Sequence, residues 1–229
     1  MAKVSSWFLL GVAVWVAACA ESTGPPAPGS VTRAAAELRQ LRWQNTPEGR
    51  EFVAVGNAVL QRAAPRGAAA SAVLDRHQLS FWALPTRDQE IQINYQAADG
   101  SWQPYVWFKI PKDGLSRWPD GTGFAEGDSV LITVAIDTTS LVVQFEPTGL
   151  EFNPLAPAQL NVWYTGADPD LDGSGAVDGA DSHIEEELLG VWVQEFAADP
   201  WTLVTAAQSI PSKRFSASLS HFSDYAVSW

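Results

Sequence analysis

The sequence predicts an all-β fold, an antiparallel β-sandwich of about eight or nine strands spanning residues 78–229. Apolar and polar residues alternate from Gln78 onward, as at Ile91, Ile93 and Tyr95, which gives strands one buried and one wet face. Proline, glycine and aspartate recur between such runs, and these residues are typical of turns. Eleven Trp and ten Phe residues supply large side chains for a core.

The individual strands are short apolar or alternating runs that end at turn residues. A turn at residues 98–100 follows the first clear run. After an opening segment from Gln78, runs of this kind predict strands at Ile91–Tyr95, Tyr105–Ile110, Val130–Ile136, Leu141–Phe145, Leu160–Tyr164, Leu189–Glu195, Trp201–Ala206, Arg214–Ser220 and Tyr225–Trp229.

The residues before the predicted sandwich differ from it in composition. Residues 19–30 are small and proline-rich, which predicts a flexible tether. Residues 31–77 are rich in Ala and Arg, and Ala34, Leu38 and Leu41 recur at helical spacing. We therefore expect a partly helical or disordered spacer between the tether and the sandwich.

The first eighteen residues predict an export signal. Lys3 precedes an apolar run at residues 7–18 that is too short to span a bilayer. The run ends in Val-Ala-Ala-Cys, which resembles the lipobox of bacterial lipoproteins, and Cys19 is the only cysteine. The resemblance implies removal of residues 1–18, acylation of Cys19 and attachment to a membrane, with the outer membrane expected because Ala20 follows the cysteine. The alternative is an ordinary secretory signal with a chance cysteine.

The charge and cysteine content exclude several classes of function. Acidic residues outnumber basic ones by 26 to 14, so the chain lacks the basic surface that nucleic-acid binding requires. A single cysteine permits neither an internal disulfide nor a cysteine-rich zinc site. An acidic surface suits divalent cations or cationic partners instead.

An acidic insertion at residues 166–187 predicts a calcium site. Counted from Asp170, a twelve-residue calcium loop places Gly175 at position six, where the chain must reverse sharply, and Val177 at position eight, where we expect it to turn inward. Hard anionic oxygens are the ligands that calcium prefers. The expected ligands are Asp170, Asp172, Ser174, the carbonyl of Ala176, Asp178 and Asp181.

This loop resembles the calcium loops of dockerins, although Ser174 and Asp181 replace the usual residues at positions five and twelve. A dockerin has two such loops, so cohesin binding does not follow from one. The alternative is a solvated, metal-free acidic hairpin. We expect a structural role for the ion, with the residues after the loop forming one helical turn.

Three segments resemble parts of the ZU-five domain of zonula-occludens proteins, netrin receptors and ankyrins. They are residues 108–115 (FKIPKDGL), 145–152 (FEPTGLEF) and 221–227 (HFSDYAV). The resemblance covers about residues 105–229 and implies a β-sandwich that mediates contacts, without enzymatic activity in most members.

In some ZU-five proteins the His-Phe-Ser triplet cleaves itself between Phe and Ser. Carried over to this sequence, the resemblance implies Ser223 as nucleophile, His221 as base and a scissile bond after Phe222. The same triplet can simply close the fold, with Phe222 packed in the core. No hydrolase, P-loop or dinucleotide motif occurs in the chain.

The sequence therefore predicts a non-enzymatic cell-envelope lipoprotein, a structural or protein-interaction module with a calcium-stabilised loop. The first alternative is a carbohydrate-binding surface module, with a stacking platform built from Trp102, Trp107, Trp118 and Trp201. The second is an autoproteolytic domain. We expect the lipid anchor to make the membrane one partner, and a protein or glycan to be the other.

Overall fold

The computed structural model describes residues 31–34, 38–44, 51–58 and 71–229. The predicted signal peptide, the predicted acylation site Cys19 and the predicted tether lie outside these residues. Residues 31–229 form one compact unit.

The described residues form sixteen strands, all paired antiparallel. Five of them were not predicted in any form, because they are only two to four residues long. The strands are β1 (Thr32–Arg33), β2 (Phe52–Val55), β3 (Ser71–Val73), β4 (Gln78–Ala83), β5 (Gln89–Gln96), β6 (Trp102–Ile110), β7 (Leu115–Arg117), β8 (Val130–Ile136), β9 (Val142–Glu146), β10 (Glu151–Phe152), β11 (Ala158–Trp163), β12 (Gly190–Gln194), β13 (Trp201–Val204), β14 (Ala206–Ser209), β15 (Arg214–Leu219) and β16 (Asp224–Ser228).

Two seven-stranded sheets and one two-stranded sheet make up the fold. The first sheet has the order β1-β13-β12-β16-β9-β8-β4, and the second has the order β14-β15-β11-β6-β5-β2-β3. Strands β7 and β10 form the small sheet. The prediction of an all-β sandwich is confirmed, although the strand number is higher than the expected eight or nine.

The core forms from the inward side chains of both large sheets. On β5 burial alternates residue by residue, with Ile91 and Ile93 inside, as the sequence pattern predicts. At the centre, the Phe222 ring stacks on Phe145 with centroids 5.0 Å apart and contacts Phe108 at 5.5 Å. Aromatic pairs of this kind hold the sheets together beyond simple burial.

The expected helical or disordered spacer is wrong wherever the structure describes residues 31–77. Those residues pair with the sheets instead: Phe52 lies opposite Tyr95 in the second sheet, and Leu41 donates its N–H to Val227. Leu41 and Trp43 are buried in the main core. Long-range pairing and burial outweigh the weak helical spacing of Ala34, Leu38 and Leu41.

One expected strand, Trp201–Ala206, is in fact two. Strand β13 belongs to the first sheet and β14 to the second, so the chain crosses between the sheets at Thr205. Outside the first sheet, a small apolar cluster that includes Leu38, Trp192 and Trp201 covers its outer face. The guanidinium of Arg33 lies 5.2 Å from the centroid of the Trp192 ring.

Helical structure is limited to short turns. The α-helix α1 (Gly179–His183) continues into a π-helical turn, Ile184–Leu188, and a 3-10 turn spans Ile210–Ser212. Within the described residues, none of these helices has the length or hydropathy to cross a membrane.

Candidate metal centre

The acidic loop connects β11 to β12 at one end of the sandwich. Its base is tied to the core segment before β2, since Asp168 donates its N–H to the Arg42 carbonyl and Gln44 donates to the Gly166 carbonyl. Gly166 lies so close to Trp43 that an added Cβ would approach the indole to 2.5 Å. The N-terminal end of the loop is therefore held firmly.

Three of the six predicted ligands come together in the structure. One carboxylate oxygen each from Asp170, Asp172 and Asp181 lies within 4.8 Å of the other two. This spacing places the three oxygens around a common point, as a hard cation requires. Asp170 and Asp172 are half-buried, whereas Asp181 is buried.

Backbone amides orient the Asp181 carboxylate. Its two oxygens accept hydrogen bonds from the N–H groups of Asp178 (2.8 Å), Leu171 (2.6 Å) and Asp172 (3.3 Å). The bond from the Asp178 amide is the main reason that the pKa of Asp181 is lowered, with the other two amides adding to it. The loop therefore favours the charged form of this carboxylate.

The turn between positions three and seven also brings Ser174 and Ala176 near the acidic group. The Ser174 amide donates to both Asp170 (3.0 Å) and Asp172 (2.9 Å), and its hydroxyl donates to the Ala176 carbonyl at 3.1 Å. Gly175 adopts a φ of +91°, which allows the reversal, and its N–H donates to Asp170 at 2.7 Å. These contacts fold residues 170–176 into a compact turn.

Asp178 has a different role from the other predicted ligands. Its carboxylate caps helix α1 by accepting from the Ala180 amide at 2.7 Å, and its own N–H donates to the Asp181 carboxylate, which completes a capping box. Asp178 is not in the group formed by Asp170, Asp172 and Asp181, although it is only three residues from Asp181. The sequence alone does not separate a ligand from a cap.

The expectation that Val177 turns inward is wrong, because its side chain is 65% exposed. Leu171 packs against the main core instead and holds the loop to the sandwich. After the loop, Ile184 is buried, whereas Leu188 is exposed and its neighbour Leu189 is buried. The π-helical turn shifts the buried position by one residue relative to a regular helix.

A second polar group forms around His221, in the segment that immediately precedes β16. His221 Nε2 lies 2.5 Å from Glu195 Oε1, and its Nδ1 lies 2.9 Å from the Ser220 hydroxyl. The hydroxyl of Ser223 donates to the Gln194 carbonyl (2.8 Å) and to Glu195 (3.1 Å). His221 and Ser223 thus share Glu195 as a partner.

Phe222, the middle residue of the triplet, is fully buried. Its carbonyl accepts from the Gly149 amide at 2.9 Å and its amide donates to the Leu150 carbonyl at 2.9 Å. The sequence placed Glu195 at the end of a predicted strand and gave no reason to pair it with His221. Its partnership with His221 depends on the pairing of β12 with β16, which places the ends of both strands together.

The four tryptophans expected to form one platform do not lie together. Trp201 is buried in the cluster on the first sheet, and Trp118 stacks on Phe124 with centroids 4.4 Å apart. Trp102 and Trp107 both lie on β6 and face outward from the second sheet. A platform of all four is therefore wrong, because these residues belong to different surfaces.

No protein-family model matches this chain, and no curated protein or solved structure matches it either.

Proposed function

We propose that this protein is a non-enzymatic, lipid-anchored module of the bacterial cell envelope that mediates contacts and whose acidic loop binds a structural calcium ion. The observation that carries the proposal is the convergence of Asp170, Asp172 and Asp181 within 4.8 Å, on a loop whose turn also presents a serine hydroxyl and a backbone carbonyl. A sandwich with a rigidified loop at one end is suited to binding a partner.

The chemistry of the ligands favours calcium over other metals. All the grouped atoms are hard oxygens, and His183 is the only histidine in the insertion. Zinc and copper prefer imidazole or thiolate ligands, and magnesium demands a near-ideal octahedron and gives up its water reluctantly. Calcium accepts six to eight oxygens in irregular geometry, with water completing the set.

The ion would relieve repulsion that the loop otherwise carries. Three ionised carboxylates within 4.8 Å of one another repel, and no lysine or arginine lies within the loop to offset them. A bound divalent cation would neutralise two of these charges. It would also hold the turn at residues 170–176 against α1.

The proposed lipid anchor and the proposed calcium site are consistent with each other, because both belong outside the cytoplasm. Acylation at Cys19 would place the sandwich outside the cytoplasm, where extracellular calcium modules work with dissociation constants of about 10⁻⁴–10⁻³ M. The predicted tether at residues 19–30 would let the sandwich reach partners away from the lipid surface.

Palmitate labelling of the full chain and of the Cys19→Ser variant tests the anchor. We expect only the full chain to take up the label and to appear in the membrane fraction.

Calorimetric titration with calcium tests the metal site. With a dissociation constant of about 10⁻⁴ M, 10 mM calcium stabilises the fold by about 2.7 kcal/mol. For a domain of this size that raises the melting temperature by about 5–10 °C. Asp172→Asn should remove the heat and the shift, whereas the matched control Glu186→Gln, an exposed carboxylate on the π-helical turn, should keep both. Unchanged melting temperature of the wild type up to 10 mM calcium would refute the proposal.

A further inference from the structure

The outer face of the second sheet carries a group of indoles and amides that the core does not use. On β5, Gln92 and Asn94 point outward, and on β6 Trp107 lies directly opposite Gln92. On β11, Asn161 lies opposite Trp107, and Trp163 follows two residues later with the same orientation. We call this surface the indole face, and it comprises Trp102, Trp107, Trp163, Gln92, Asn94, Gln96 and Asn161.

The indoles are spread over the face. A β-bulge at Ile93/Asn94 keeps Trp102 opposite Gln96 and on the outer side, where it is 43% exposed. Trp107 lies opposite Gln92 and Trp102 opposite Gln96, so four residues of β5, at about 3.3 Å each, separate the two indoles by about 13 Å. Trp163 lies on the neighbouring strand between these two levels. The face is therefore long enough for several sugar units and is not shaped for a single small ligand.

Several side chains on the indole face are held in place before any ligand arrives. The Trp107 indole N–H donates to Glu90 Oε1 at 2.8 Å, which fixes the ring on the sheet. Gln92 donates to Asn94 at 2.8 Å. The guanidinium of Arg214 lies 5.7 Å from the centroid of the Trp163 ring. Pre-ordered aromatic groups lose little conformational entropy on binding.

The charge of this face differs from that of the chain. The chain has a formal net charge of −12, yet the strands of the second sheet carry only three charged residues, Glu90 on β5, Lys109 on β6 and Arg214 on β15, and Asp88 immediately precedes β5. Lys109 pairs with Asp88 at 3.2 Å. An anionic polymer would find no excess of cations here, and a cationic one would find no excess of anions. A neutral ligand is the one that this balance suits.

The polar groups favour hydroxyls over a protein surface. Amide side chains both donate and accept hydrogen bonds, as sugar hydroxyls do, and amides separate the indoles from one another. A protein interface has a contiguous apolar centre, which these separated rings do not supply. The C–H faces of pyranose rings carry a positive partial charge that the electron-rich indole faces attract.

We propose that the indole face binds a neutral polysaccharide, with sugar rings stacked on Trp102 and Trp107 and hydroxyls bonded by the amides of Gln92, Gln96 and Asn161. This inference rests on the proposed function and names the partner of the module. It does not require the calcium loop to contact the ligand.

Affinity electrophoresis of the full chain, with Cys19→Ser to remove the lipid, tests this proposal. The gels contain neutral polysaccharides (a mixed-linkage β-glucan, xyloglucan, galactomannan and dextran) or anionic ones (polygalacturonate and alginate). We expect retardation by at least one neutral polymer. Trp107→Ala and Trp102→Ala should each weaken it at least tenfold, because each removes one stacking surface.

The matched control is Trp82→Ala. Trp82 is 51% exposed, but it lies on β4 of the other sheet, so its loss should leave the retardation unchanged. Circular dichroism melting of each variant separates loss of folding from loss of binding. Asn161→Ala supplies a second variant that removes an amide and no ring.

Three outcomes would overturn the proposal: no retardation by any neutral polymer, retardation only by the anionic ones, or equal loss in Trp82→Ala. Calcium titration of the same protein distinguishes this failure from failure of the proposed function. If the protein binds calcium but no glycan, the proposed calcium-stabilised module is retained and its partner is not a polysaccharide. Glycan binding that is unchanged in Asp172→Asn would separate the two sites.

Discussion

Replacement of Phe222 by alanine tests the packing at the centre of the sandwich. The ring is fully buried and contacts three other rings: Phe145 at 5.0 Å, Phe152 at 5.0 Å and Phe108 at 5.5 Å. Truncation of a buried Phe to Ala costs about 3–5 kcal/mol through lost burial and the remaining cavity. The aromatic pairs add about 0.5–1.5 kcal/mol each beyond burial, so we expect a loss of stability near the upper end of that 3–5 kcal/mol range.

We therefore expect Phe222→Ala to lower the free energy of unfolding by about 4–5 kcal/mol and the melting temperature by about 10–16 °C. Urea denaturation, followed by tryptophan fluorescence at fixed calcium, measures the change. Phe196→Ala is the matched control, because that side chain is 68% exposed and its loss should cost under about 0.5 kcal/mol. A loss below about 1.5 kcal/mol for Phe222→Ala, or equal losses in the two variants, would refute this reasoning.

Three further predictions concern the loop, its base and the closing segment. The lowered pKa of Asp181 means that its charge stabilises the fold above the ordinary value of 3.8 and that this contribution is lost as pH falls through the lower folded value. With a calcium chelator present, the Asp181→Asn variant should therefore be less stable than the wild type at pH 7. The difference between their urea midpoints should narrow below about pH 3.8. A difference that does not change with pH would contradict this reasoning. Gly166→Ala should cost about 1–3 kcal/mol, because the new methyl meets Trp43 at 2.5 Å, while Gly123→Ala, with its nearest contact at 4.0 Å, should cost little in the same thermal melts. As a non-enzymatic module, the purified protein should show the intact mass in mass spectrometry under denaturing conditions, and a fragment ending at Phe222 would instead support autoproteolysis.

The strands that the sequence predicted correctly either alternate with a period of two or are continuous apolar runs, as in β12. Strand β5 alternates over eight residues and β6 carries large apolar side chains, so local pattern and burial agree. Strands β1, β2 and β3 are two to four residues long and pair with partners far along the chain. Such short segments carry too few residues for a period to be read, and their pairing depends on the rest of the sheet.

The candidate site was predicted in part for a similar reason. The spacing of Asp170, Asp172 and Asp181 follows the local geometry of a calcium loop, and the structure brings these three together. Asp178 lies in the same local pattern but caps α1, since a carboxylate before a helix serves either role. The indole face could not be assembled from sequence, because only the register of β6 with β11 places Trp107 and Trp163 on the same face of the sheet.

A crystal structure of the lipid-free protein grown in millimolar calcium tests the central claim most directly. We predict a single ion with oxygens of Asp170, Asp172 and Asp181 at about 2.3–2.6 Å, and with Ser174 or the Ala176 carbonyl and water completing the coordination. Well-ordered loop residues without density for an ion between those three carboxylates would contradict the account.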